Sequence, residues 1–98
     1  MTRLTSKQRA ELRRLAHSLK PTVLVGGDGV TDPVAQSVRE AFNTRELIKI
    51  KALDSAPSTI REIADTLTEG LDDAHTVQTI GRTAVLYRPD PDEPVLLR

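Results

Sequence analysis

The chain has 98 residues, enough for one domain with one modest core. Its 38% hydrophobic and 29% charged residues suit a folded protein, and the lack of cysteine excludes disulfides, cysteine-ligated zinc and a thiol nucleophile. No apolar run approaches the ~20 residues of a membrane span, and charges recurring from Arg3 to Lys20 leave no room for a signal-peptide core, so a cytoplasmic location with no membrane partner is expected.

Only Phe42 and Tyr87 are aromatic, so the core must be aliphatic and base stacking cannot be a main binding mode. Net charge is zero, but it is unevenly distributed. Residues 1–25 hold six basic side chains against one acid, residues 26–53 four against four, and residues 54–98 four against nine. Such asymmetry points to a polyanionic partner for the basic part.

Thr5-Ser6-Lys7-Gln8 has the capping-box pattern, and the helix it opens should run to about Ser18. At 100° per residue Leu12, Leu15, Ala16 and Leu19 share one face. Arg9, Arg13, His17 and Lys20 fall on roughly the opposite side, with Arg14 and Lys7 further round. Like charges one turn apart are unfavourable locally, and Glu11 is the only nearby acid, so a bound anion would explain them. Pro21 stops the helix.

Val23-Leu24-Val25 then reads as a short strand, entered at Thr22 and followed by Gly26-Gly27-Asp28-Gly29. Thr31, Asp32 and Pro33 mark a helix start. A glycine turn leading into a helix N-terminus can approach an anion closely and offers it backbone N–H groups; it can equally be a plain turn. The second helix, about Asp32–Asn43, presents Val34, Val38, Ala41 and Phe42 on one side.

Residues 46–53 alternate as a strand does, with Ile48, Ile50 and Ala52 on one face and Leu47, Lys49, Lys51 and Leu53 on the other. Thr59-Ile60-Arg61-Glu62 offers a second capping box, although Ser55 or Ser58 could cap instead, and Gly70 ends the helix. Its outward side carries Glu62, Asp65 and Glu69, with Asp72 and Asp73 after it, and would repel a phosphate backbone. His75–Ile80 and Thr83–Arg88 form a hairpin whose Gly81-Arg82 loop suits a type II′ turn. The last strand is apolar on both parities and should be interior to the sheet. Pro89, Pro91 and Pro94 make residues 89–98 an extended tail whose Val95-Leu96-Leu97 can pack back on the domain.

The predicted order is α-β-α-β-α-β-β, an α+β fold with a four-stranded mixed sheet in a single domain spanning 1–98. No nucleophile–base pair, paired carboxylates or metal cluster stands at a recognisable spacing. The glycine turn lacks the G-K-[ST] of a mononucleotide loop and the third glycine of a dinucleotide fingerprint. A non-catalytic protein with no cofactor, metal or small-molecule substrate is expected.

Four strings resemble the CRM domain in its small bacterial, YhbY-like form: L-A-H-S-L-K-P at Leu15–Pro21, V-L-V-G-G-D-G-V-T at Val23–Thr31, E-L-I-K-I-K at Glu46–Lys51 and V-Q-T-I-G-R-T-A-V-L-Y-R-P at Val77–Pro89. The resemblance implies a β-α-β-α-β-β two-layer sandwich similar to the C-terminal domain of translation initiation factor three, with strand order 1-2-4-3 and an added N-terminal helix. It also implies an RNA-binding monomer that associates with ribosomal RNA in precursors of the large ribosomal subunit; a protein-interaction module of the same fold is the alternative. The family's GxxG loop, similar to the backbone clamp of KH domains, falls on Gly26, Gly27, Asp28 and Gly29. Asp28 departs from the polar or basic residues usual there, so the positive charge must come from elsewhere. Arg9, Arg13, Arg14 and Lys20 of the first helix are the main candidates for RNA contact, followed by Lys49, Lys51, Arg82 and Arg88. His17 is read as a helix-end residue and His75 as structural.

Overall fold

The computed structural model describes residues 3–97. The elements appear in the predicted order: α1 (Ser6–Ala16), β1 (Val23–Val25), α2 (Asp32–Thr44), β2 (Leu47–Ala52), α3 (Ile60–Glu69), β3 (His75–Ile80) and β4 (Thr83–Tyr87). The sheet order is β1-β2-β4-β3, with β1 parallel to β2 and both other pairs antiparallel.

Each helix begins where its caps dictate. Thr5 and Gln8 close a reciprocal capping box on α1, and Thr59 and Glu62 do the same on α3, so Thr59 is the cap rather than Ser55 or Ser58. Thr31 caps α2 through the N–H of Val34. Helix α1 ends at Ala16, two residues short of the expected end. Its last turn tightens, with the His17 N–H on the Arg14 carbonyl and the Leu19 N–H on the Ala16 carbonyl. Lys20 precedes Pro21, and a residue in that position is pushed out of the α region.

The sheet separates two cores. On one face α2 and α3 pack over Val23, Val25, Ile48, Ile50, Ala52, Ala84 and Leu86. On the other, Leu12 and Ala16 of α1 dock on Leu47, Val77, Val85 and Tyr87. Strand β4 lies between β2 and β3 and contributes buried residues to both faces, as its double-parity apolar pattern requires. Burying each of these valines, leucines and isoleucines contributes about 1.5–3 kcal/mol. Helix α1 is short and covers only one end of its sheet face.

The hairpin loop holds Gly81 at φ +57, while Arg82 is not left-handed, which matches the expected type II′ turn. A β-bulge between Thr76 and Gln78 turns both Val77 and Gln78 toward the α1 side. The tail returns to the domain: Leu96 and Leu97 pack on the α1-side core, whereas Val95 stays half-exposed.

Candidate nucleic-acid interface

The uncovered end of the α1-side sheet face forms a groove of about 290 Å³. Its floor follows from strand register. Leu24 pairs with Lys51, Lys51 with Thr83, and Thr83 with Ile80, so these four residues form one row across all four strands. In the adjoining row Lys49 pairs with Val85 and Val85 with Gln78. Arg13, His17 and Pro21 make the wall on the α1 side. Docking of Leu12 and Ala16 into the core is what carries Arg13 and His17 to this edge. His17 thus faces the groove as well as ending the helix.

The row has a definite chemistry. Leu24 and Ile80 are 55% and 64% exposed and put open aliphatic surface at the two ends of the row that holds Lys51. No phenylalanine, tyrosine or tryptophan ring is on offer, because Tyr87 is buried under α1 and Phe42 packs against the α2–α3 core. The groove can therefore hold a phosphate-bearing strand by charge and hydrocarbon contact, and only the His17 imidazole and the Arg13 guanidinium offer a plane to a base. Lys20 is exposed where the chain enters β1, and the Thr22 N–H bonds the Lys49 carbonyl, so this segment lies beside the lysine row.

The glycine stretch lies just beyond Leu24. Gly26 to Gly29 is a tight turn closed by the Gly29 N–H on the Gly26 carbonyl at 3.0 Å. Gly27 packs against Ser55, and Gly29 takes φ +70 beside Pro57. The helix start after it has few free donors. Thr31 occupies the Val34 N–H, Pro33 has none, and the Ala35 N–H bonds the Thr31 carbonyl. The anion cradle suggested by the sequence is thus mostly used by the protein's own cap.

The other four expected cations are held by protein groups. Arg9 is half-buried and donates to the Thr76 carbonyl at 3.2 Å, which anchors α1 to the bulged strand, so it does not face outward as the helical wheel suggests. Arg14 pairs with Glu11 through two hydrogen bonds, one of 3.0 Å from Nε, and this pairing holds the Glu11 carboxyl below its usual range. Arg82 pairs with Asp54 at the end of the sheet near the glycine turn. Arg88 is separate. Its N–H bonds the Glu46 carbonyl and its Nε the Asp72 carbonyl, at the far end of β2 from Lys51.

His75, for which the sequence offered no partner, lies 2.9 Å from Asp73. Asp73 is a non-glycine residue in the left-handed region (φ 54), and no local pattern announces that conformation. The acidic side chains of α3 sit on the opposite side of the sheet from the groove. Asp65 accepts the Thr76 hydroxyl, and Glu62 is engaged in its capping box.

A family model described as the CRS1 / YhbY (CRM) domain matches residues 4–88. A Haemophilus influenzae protein named "RNA-binding protein" is 39% identical over 97 residues, 99% of this chain and 97% of its own. "Probable RNA-binding protein YqeI" of Bacillus subtilis is 41% identical over 85 residues, 87% and 88% of the two chains. A hypothetical protein of Staphylococcus aureus, solved in solution, superposes with a TM-score of 0.72 at 33% identity, covering 90% of this chain and 91% of its own. A maize CRM-domain containing factor shares 35% identity over 92 residues, which are 87% of this chain but 10% of that longer protein. Matched in sequence along nearly its whole length and in the path of its backbone, the chain belongs to the CRS1/YhbY (CRM) domain family.

Proposed function

We propose that this protein binds structured RNA without catalysing a reaction, and that its RNA is ribosomal, within precursors of the large subunit in the cytoplasm. The observation that carries the reading is the convergence of Arg13, His17, Lys49 and Lys51 on one groove beside the glycine turn. Family membership and the names of the bacterial relatives support RNA as the partner. Phosphates are the main contacts, because the groove offers cations and aliphatic surface. The glycine turn acts as a shaped edge, and the charge comes from α1 and β2.

The test is fluorescence anisotropy with large-subunit ribosomal RNA fragments over a range of KCl concentrations. Four to six phosphate contacts predict a log–log slope of about −3 to −5. Lys49→Glu and Lys51→Glu should weaken binding and flatten the slope by about one each. Arg88→Glu should leave it unchanged. A salt-independent affinity, or equal loss from Arg88→Glu and Lys51→Glu, would count against the groove. Co-sedimentation with large-subunit precursors should be abolished by ribonuclease; co-sedimentation that survives it would sink the ribosomal-RNA assignment.

A further inference from the structure

The other flank of α1 borders a second concavity of opposite character. It is a cleft of about 540 Å³, open to solvent, between α1, the C-terminal end of α2 and the tail. Its walls are Leu15 of α1, Leu19 just after it, Phe42 of α2, and Val95 and Leu96 of the tail. Its size and apolar lining are those of a binding cleft rather than a packing defect. The RNA groove does not reach it: Arg13 and His17 line one side of the helix, Leu15 and Leu19 the other.

Three features make its rim negative. Asp90 and Glu93 of the tail line it, and neither forms an ion pair among the described residues. Helix α2 ends on it at Asn43 and Thr44, which brings the negative end of that helix dipole to the cleft, with Arg45 as the C-cap and no basic residue in the last turn itself. Glu46 lies at its base, its carboxylate already occupied by backbone N–H groups. Arg45 is the single cation of the lining.

We infer that this cleft is a docking site for a basic, apolar-anchored peptide segment of a partner protein. The apolar side chains of the segment enter between Leu19, Phe42 and Val95, and its lysines or arginines meet Asp90, Glu93 and the α2 C-terminus. RNA is disfavoured here by the same charges. The protein thereby engages a polyanion on one flank of α1 and a basic protein segment on the other.

The experiment is an NMR titration of the isotope-labelled full chain with a synthetic amphipathic peptide of about 15 residues, long enough to form a helix, bearing leucines on one face and lysines elsewhere. The control is the same peptide with glutamates in place of the lysines. The lysine peptide should saturate and move the resonances of Leu15, Leu19, Phe42 and Val95, and the glutamate peptide should not. Glu93→Lys should weaken the lysine peptide about tenfold, a difference of about 1.4 kcal/mol. Val95→Glu, at a half-exposed side chain whose change leaves the core intact, should block the apolar anchors and remove the shifts at Leu19 and Phe42. The inference is overturned if both peptides bind alike, if the shifts fall on the acidic side of α3, if no saturable binding occurs, or if an RNA oligonucleotide moves the cleft resonances instead.

Discussion

Glu46 is only 7% exposed, and its carboxylate accepts the N–H of Val95 at 2.9 Å across 49 positions of sequence. The same oxygen accepts the Leu96 N–H at 2.9 Å, and the other accepts the Asp90 N–H at 2.6 Å. One buried anion therefore satisfies three tail donors and closes the tail over the α1-side core. Glu46→Ala removes the acceptor and leaves the tail N–H groups to find water. A loss of about 2–3 kcal/mol in urea unfolding is expected, because hydrogen bonds to a charged group are each worth roughly 1.5–3 kcal/mol and the released tail recovers part of that by solvation. Hydrogen exchange should show the Val95 and Leu96 amides unprotected while β4 stays protected. Unchanged protection of those two amides would refute the clasp.

Tyr87 is the only tyrosine, so its phenol can be followed alone by ultraviolet absorbance. Burial, helped by the negative charges of Glu46 and Asp73, pushes its pKa up to about 12. A raised folded-state value means the neutral phenol is favoured in the native protein. That stability is fully present below the ordinary value of about 10 and is lost as pH rises toward about 12, roughly 2–3 kcal/mol in all. The native titration midpoint should fall to about 10 in urea. A native midpoint already near 10 would show the ring to be solvated.

The glycine turn makes a residue-by-residue prediction. Gly29 is left-handed, and a Cβ there would stand 3.2 Å from Pro57 Cγ, so Gly29→Ala should cost about 1–2 kcal/mol. Gly27 is not left-handed, and an added Cβ would meet Ser55 at an ordinary 3.6 Å, so Gly27→Ala should change stability by less than about 0.5 kcal/mol. Equal effects in thermal unfolding would contradict the turn geometry.

Arg9 and Arg13 lie one helical turn apart but in different surroundings. Arg9 ties α1 to the Thr76 carbonyl, and Arg13 is exposed on the groove wall. Arg13→Glu should reduce RNA affinity about tenfold with an unchanged melting temperature. Arg9→Glu should also lose about 1–2 kcal/mol of stability, since it breaks a half-buried charged hydrogen bond and places an acid near a carbonyl. Indistinguishable melting temperatures for the two variants would argue against the anchor.

The elements of this fold were legible because their signals are local. Capping boxes at Thr5–Gln8 and Thr59–Glu62, the glycine turn and the alternation of residues 46–53 are hydrogen bonds and periodicities within a few positions. The double parity of β4 even announced its interior place in the sheet. What the basic residues do was decided by docking. Arg13 shares a groove with Lys49 only because Leu12 and Ala16 bury themselves against Leu47, Val85 and Tyr87, and that same packing turns Arg9 onto Thr76 and leaves Leu19 lining the opposite cleft. Arg88 reads like Arg82 in sequence, yet β4 carries it to the other end of the sheet. Glu46 looks like a strand-edge acid and becomes a buried acceptor, because the tail donors that need it come from 44 to 50 residues away. A helical wheel gives the angle of a side chain about its own axis. Its neighbours depend on which apolar surfaces meet, and that is settled only when the whole chain has closed its two cores.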